Sequence, residues 1–152
     1  MIQLKVRNAG DFILSQSFYL DIHDEMTVDS GRVLATFTSQ FTGKSKTVST
    51  NTLYTNKERY IQLAVFTTRD ADEENLLEAR IQLGTVDYPL GFYDVILYQN
   101  TDNSNLDPTG LPVVWNGLMN LSGYSTATQS VKYTEYTTND ADTESIYLTN
   151  AL

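Results

Sequence analysis

Apolar and polar residues alternate along most of the chain: Ile2, Leu4 and Val6 share one parity, as do Phe18, Leu20 and Ile22, and then Val33, Ala35 and Phe37. A two-residue period puts successive side chains on opposite faces of an extended strand, so these runs predict half-buried strands. The pattern continues through Ile61, Leu63 and Val65, through Leu77, Ala79, Ile81 and Leu83, and into Val131, Tyr133 and Glu135. Turn-forming residues punctuate it at Asp29-Ser30-Gly31, Thr42-Gly43-Lys44, Tyr88-Pro89-Leu90-Gly91 and Asn139-Asp140. The sole helical candidate, Asp70 to Arg80, reads better as an acidic loop or single turn ahead of a strand from Leu77 to Leu83.

About eight to ten short strands predict two facing sheets with a shared core. The expected fold class is all-β, an immunoglobulin-like β-sandwich over residues 1–122, followed over 123–152 by a C-terminal extended arm or hairpin that packs on the sandwich or on a neighbouring copy. The turn Tyr88-Pro89-Leu90-Gly91-Phe92-Tyr93 carries the finer expectation. Leu90, Gly91 and Tyr93 stand close to the places of the Leu-x-Gly-x-Tyr approach to a tyrosine corner, in which the phenol bonds to backbone a few residues upstream, at a shorter spacing; the other reading makes Tyr93 an ordinary amphipathic strand residue.

From Phe92 the chain predicts a hairpin: a strand to Gln99, a long polar loop from Asn100 to Leu111, and a return strand from Pro112 to Leu121. Asp107-Pro108-Thr109-Gly110 supplies a turn within that loop. Loops of this length are contact surfaces or mobile segments. On the return strand Val113, Trp115 and Gly117 are expected to share one face, with the single tryptophan in the core or in a contact between copies, or else serving as an aromatic platform for a sugar.

With 152 residues and no cysteine, the chain fits one domain without disulfides or thiolate metal sites. The opening MIQLKVR has no continuous apolar core of the signal-peptide kind, and no window approaches a membrane span. A formal charge of −9 with scattered lysines and arginines argues against a nucleic-acid groove. The one histidine, His23, alternates out of phase with Leu20 and Ile22, which places it on a polar face. No nucleophile elbow or phosphate loop is present, so no catalysis is expected. The acidic groups Asp70, Asp72, Glu73 and Glu74, and Asp140, Asp142 and Glu144, lack the glycine and terminal acid of a calcium loop and read as solvated turns; no metal or cofactor is expected.

Four segments occur in a fixed order: Tyr54-Thr55-Asn56-Lys57-Glu58-Arg59-Tyr60, Gly91 to Gln99, Asn105-Leu106-Asp107-Pro108-Thr109-Gly110, and Asn116-Gly117-Leu118-Met119. With the tyrosine- and asparagine-rich tail, this order resembles small β-rich structural proteins of tailed phages, including marine phages and the crAss-like and flavobacterial groups. The resemblance covers residues 10 to 150 and departs from the family in the N-terminal strand and the acidic insert at Asp70 to Glu78. It implies an auxiliary (decoration or cement) protein on the capsid exterior, assembled in the host cytoplasm and located in the virion. The implied partners are the major capsid protein or other virion proteins, and other copies of the chain, with no nucleic acid and no membrane. A head–tail connector or tail component, and a carbohydrate-binding module facing the host, are the alternatives. Candidate interface residues are Asn105, Asp107 and Pro108 in the loop, Trp115 on the return strand, and Tyr133, Tyr136, Ile146 and Leu148 as anchors of an arm that pairs with a sheet edge.

Overall fold

A computed structural model describes residues 1–11, 13–21, 32–56 and 60–124, with the side chains of 32 and 52–56 left aside. Its strands are β1 (Ile2–Val6), β2 (Leu14–Leu20), β3 (Arg32–Ser39), β4 (Ser45–Ser49), β5 (Asn51–Asn56), β6 (Tyr60–Thr68), β7 (Arg80–Gln82), β8 (Gly91–Asn100) and β9 (Val113–Gly123). Among the described residues there is no α-helix, only two 3₁₀ turns at Ala71–Glu73 and Leu76–Glu78. The described residues are all-β and form two sheets.

The first sheet runs β1-β9-β8-β3-β4, with β1 parallel to β9 and the other pairs antiparallel. The second runs β2-β6-β5, and the short β7 lies parallel along β6. β5 pairs with the first half of β6, from Tyr60 to Ala64, and β7 with its last residues, Phe66 to Thr68. Two short strands therefore follow one another along β6 where a single longer one would do. The chain passes from the first sheet to the second at Thr50, whose N–H and hydroxyl both donate to the Val33 carbonyl, at 2.9 and 2.7 Å. Those two bonds keep a buried polar residue satisfied at the sheet change.

One core joins the sheets. Leu4 and Val6 of β1, Phe18 of β2, Val33, Ala35 and Phe37 of β3, Leu63 and Val65 of β6, and Tyr93, Val95 and Leu97 of β8 all belong to it. The alternation is nearly ideal in β1, where every second residue is buried and its neighbours are exposed. The side where β1 lies beside β2 is closed by polar side chains. The Gln16 amide accepts from the Lys5 N–H and donates to the Lys5 carbonyl, and the Thr67 hydroxyl donates to that same carbonyl. Gln16 thus supplies the hydrogen bonds that another strand would give β1 at this point.

Two expectations need correction. The strand expected from Leu77 begins only at Arg80: Leu77 lies in a 3₁₀ turn and is exposed, and Ala79 takes a left-handed backbone at φ 64°, which ends the extended geometry before it starts. The face shared by Val113, Trp115 and Gly117 is also broken. Tyr98 opposes Val113 and Leu97 opposes Trp115, so Val114 is an extra residue, a β-bulge. Val114 is buried, Val113 is 52% exposed, and Trp115 and Gly117 remain on the core side opposite Leu97 and Val95.

Candidate interaction surface

The β8–β9 hairpin has two ends of opposite character. At its open end β8 meets the β3–β4 turn and the segment that leads from β7. Ser39, which is buried, organises that turn: its hydroxyl accepts from the N–H groups of Phe41 and Thr42, each at 3.2 Å, and its carbonyl accepts from Gly43 at 2.8 Å. Gly43 takes a φ of 73°, which a side chain would disfavour. The turn is pinned to the following loop by the Thr42 hydroxyl on the Asp87 carbonyl at 2.7 Å and by Lys44 on the Asp87 carboxylate at 2.6 Å. The Asp87 contact also raises the Lys44 ammonium above its ordinary pKa.

On the other side of this end stands Tyr93. Its hydroxyl donates to the Pro89 carbonyl at 2.6 Å, which fixes the corner residues Leu90 and Gly91 between them. Burial pushes the Tyr93 phenol up to about 12. Because Tyr93 points into the core, the pleat turns its neighbour Phe92 outward.

The result is a well-tied backbone carrying apolar side chains into solvent. Phe41 is 87% exposed, Leu90 45% and Phe92 51%, and with Gln40 and Gly91 they line a shallow hollow of about 300 Å³. Val86, on the loop pinned by Thr42 and Lys44, is also exposed. Isolated exposed apolar residues are ordinary, but several side by side around a hollow mark an interaction surface. Phe41 and Phe92 were not among the candidates named from the sequence. The signal for Phe92 was available, since a corner tyrosine at 93 requires the adjacent residue to face outward; Phe41 gave only an aromatic inside a polar turn.

At the other end, the loop from Thr101 to Pro112 satisfies itself. The buried Asn100 side chain donates to the carbonyls of Asp102 at 2.7 Å and Asn105 at 3.1 Å. The Asp102 carboxylate accepts from the N–H and hydroxyl of Ser104, at 2.9 and 2.7 Å, and the Asp107 carboxylate does the same for Thr109, at 3.0 and 2.7 Å. Asn105 bridges to Asp107 in both directions, each at 2.9 Å. These are side-chain turns of the kind Asn and Asp form with backbone two residues on. The hydrogen bonds hold both carboxyls below the ordinary aspartate range.

The structure therefore brings Asn105, Asp107 and Pro108 together in one loop, with Asn105 and Asp107 occupied in shaping it. Trp115 stands apart from them, half-buried against the core, its ring over Gly117: a Cβ there would lie 2.5 Å from the indole. Tyr133, Tyr136, Ile146 and Leu148 lie outside the described residues, as do His23 and the acids at 140, 142 and 144. Of the other acidic group, Asp70 accepts from the Gly10 N–H at 2.9 Å, and Glu74 accepts from Lys46 Nζ and the Gln82 N–H, both at 2.7 Å. Two of its four carboxylates are thus taken up within the fold. Among the described residues no three potential ligands gather around a common point.

The fold and this surface define a two-sheet β protein with an apolar end. No protein-family model, curated protein or solved structure matches the chain.

Proposed function

We propose that this chain is a non-catalytic virion structural protein of a tailed phage, an auxiliary protein on the capsid exterior that strengthens the shell through contacts between subunits. The observation that carries the reading is the rigid apolar end formed by Phe41, Leu90 and Phe92. A surface tied down by Ser39, Thr42 and Tyr93 loses little conformational freedom on binding, which suits a protein whose work is attachment. The order of sequence motifs supplies the phage context. Contacts that are each modest become strong when many copies act on one particle.

Two features support an immunoglobulin-like sandwich as the scaffold. One is the strand order, β1-β9-β8-β3-β4 against β2-β6-β5, with β1 parallel to β9. The other is the Tyr93 to Pro89 bond four residues upstream. Residues 123–152 form the arm in this reading, packing on the sandwich or on a neighbouring copy. The alternative of a sugar platform at Trp115 has less support, since part of its ring is taken up by Gly117 and the core.

The test is binding of purified protein to particles that lack it, with copies per particle counted by mass spectrometry. Hundreds of copies, lost in Phe41→Ser/Phe92→Ser, are expected. A dozen or fewer would move the protein to the neck or tail, and undiminished binding by the double variant would remove the apolar end from the attachment.

A further inference from the structure

Among the described residues β4 is the last strand of the first sheet, and its outer flank is covered. The Ser39 N–H donates to the Lys44 carbonyl and the Thr50 N–H to the Val33 carbonyl, each at 2.9 Å, so Lys44, Lys46 and Val48 turn their backbone groups toward β3. In an antiparallel pair the alternate residues, Ser45, Thr47 and Ser49, turn theirs outward. Hydroxyl contacts of 2.8 Å between Thr36 and Thr47 and 2.7 Å between Thr38 and Ser45 fit that assignment, because the pairs without backbone bonds bring side chains closer. The outward carbonyl of Ser45 accepts from the Tyr88 hydroxyl at 3.0 Å, and the 3₁₀ turn Leu76–Glu78 lies against the strand.

Lys46 breaks the pattern of this strand. It opposes Phe37, a core residue, so its side chain rises from the inner face of the sheet, where Val48 also lies buried. Only 12% of that side chain is exposed. Its ammonium meets the Glu74 carboxylate at 2.7 Å, donates to the Gln82 carbonyl at 3.1 Å and lies 4.4 Å from the centre of the Tyr88 ring. These partners all come from residues 74–88, and Leu76 and Tyr88 of the same segment pack against the core. The segment is a strap that closes the sandwich beyond β4. As a stabiliser the ion pair is replaceable, since buried pairs often do no better than well-packed apolar side chains of similar volume. What the charge adds is a penalty for moving the strap. A foreign strand bonded to Ser45, Thr47 and Ser49 would take the strap's place, remove the acceptors from Lys46 and leave its ammonium uncompensated between two sheets. Inward-pointing charges and covering segments are known means of keeping a sheet from pairing with other chains.

We infer that Lys46, with the strap that carries Glu74 and Tyr88, guards the flank of β4 against strand pairing with a second copy of the chain. The inference stands apart from the virion reading and needs no particle to test it. Lys46→Leu should strengthen self-association, followed by analytical sedimentation, by about tenfold or more. The amides of Ser45, Thr47 and Ser49 should then be protected from hydrogen exchange in the associated form, which separates pairing at β4 from association through the apolar end. Lys5→Leu, which adds the same side chain to the exposed face of β1, should leave the three amides unprotected. Tyr88→Phe frees the Ser45 carbonyl but keeps the ion pair, and should give a smaller gain of the same kind. Should Lys46→Leu fail to fold, Lys46→Met/Glu74→Leu takes its place with the same expectation, because it leaves neither charge without the other. Unchanged association in the folded variant, stronger association without protection of the three amides, or an equal effect from Lys5→Leu overturns the inference.

Discussion

The two ends of the β8–β9 hairpin use hydrogen bonds for opposite purposes. At the Thr101–Pro112 end, Asn and Asp side chains turn back on the loop and satisfy its backbone, so much of its polar capacity is spent internally. At the corner end, the bonds from Ser39, Thr42 and Tyr93 hold the backbone still while Phe41, Leu90 and Phe92 remain in solvent. A long polar loop draws attention in a sequence because of its length, yet the binding energy available from an end depends on the apolar surface it still has to bury. That difference favours the corner end as the site of attachment.

The largest expected effect is on association. Phe41→Ser/Phe92→Ser should weaken binding to particles or to other copies by tenfold or more, since buried aromatic anchors carry a disproportionate share of interface energy. Exposed side chains contribute little to the fold, so the melting temperature should stay close to that of the parent. The matching change at the other end, Pro108→Ser, should leave association within twofold. Equal losses from both ends would abolish the contrast.

Much of the fold was legible because the pleat imposes a period of two wherever one face is buried. β1, β3, β6 and β8 show it, and the corner tyrosine was readable from Leu90, Gly91 and Tyr93. The misreadings fall where the period is kept without strand geometry, or the geometry without the period. Leu77 and Ala79 preserve the alternation through a 3₁₀ turn and a left-handed residue. The Val114 bulge hides a change of face inside an unbroken apolar run. The change of sheet at Thr50 falls in the run Ser45 to Thr52, polar but for Val48, where no hydrophobic period marks it. The apolar end was missed for a different reason: its residues come from the β3–β4 turn and from the corner and first residues of β8, and only the antiparallel pairing of β3 with β8 makes them neighbours.

A smaller effect follows from the corner itself. Tyr93→Phe keeps the ring in the core but leaves the Pro89 carbonyl without its donor, which should cost about 1–2 kcal/mol on denaturant unfolding. It should also loosen Leu90 and weaken association modestly. The parent carries a pH signature that the variant lacks. Burial raises the folded-state pKa of Tyr93 from about 10 to about 12. The neutral phenol therefore contributes stability that is full below the unfolded value and is lost as pH rises toward the folded one. The stability difference between parent and Tyr93→Phe should narrow across that alkaline window; a constant difference would mean that the phenol does not hold the corner.

Next in size is Asn100→Ala, which removes the donors to the Asp102 and Asn105 carbonyls at the root of the loop. Water can reach the exposed parts of this loop, so a cost of about 1 kcal/mol is expected. The consequence should stay local: faster hydrogen exchange from Asp102 to Leu111, with the corner end and its association unaffected. Faster exchange at Gln40 or Phe92 as well would show that the two ends are coupled through the hairpin and do not act separately.

The smallest effect concerns the two loop carboxylates in acid. Asp102 is held below the usual aspartate pKa by the hydroxyl and then the N–H of Ser104, and Asp107 by those of Thr109. For a group whose folded-state pKa is depressed, the contribution to stability is present above the unfolded value, near 4, and declines as pH falls through the folded one. Both groups are fully exposed, so solvent and salt screen the effect and it should be small. Ser104→Ala/Thr109→Ala should bring both pKa values back toward the ordinary range when followed by carbon-detected NMR, and should flatten the acid limb of the stability curve slightly. A change in the acid dependence of association in Ser104→Ala/Thr109→Ala, with the fold intact, would place an attachment contact on the loop after all.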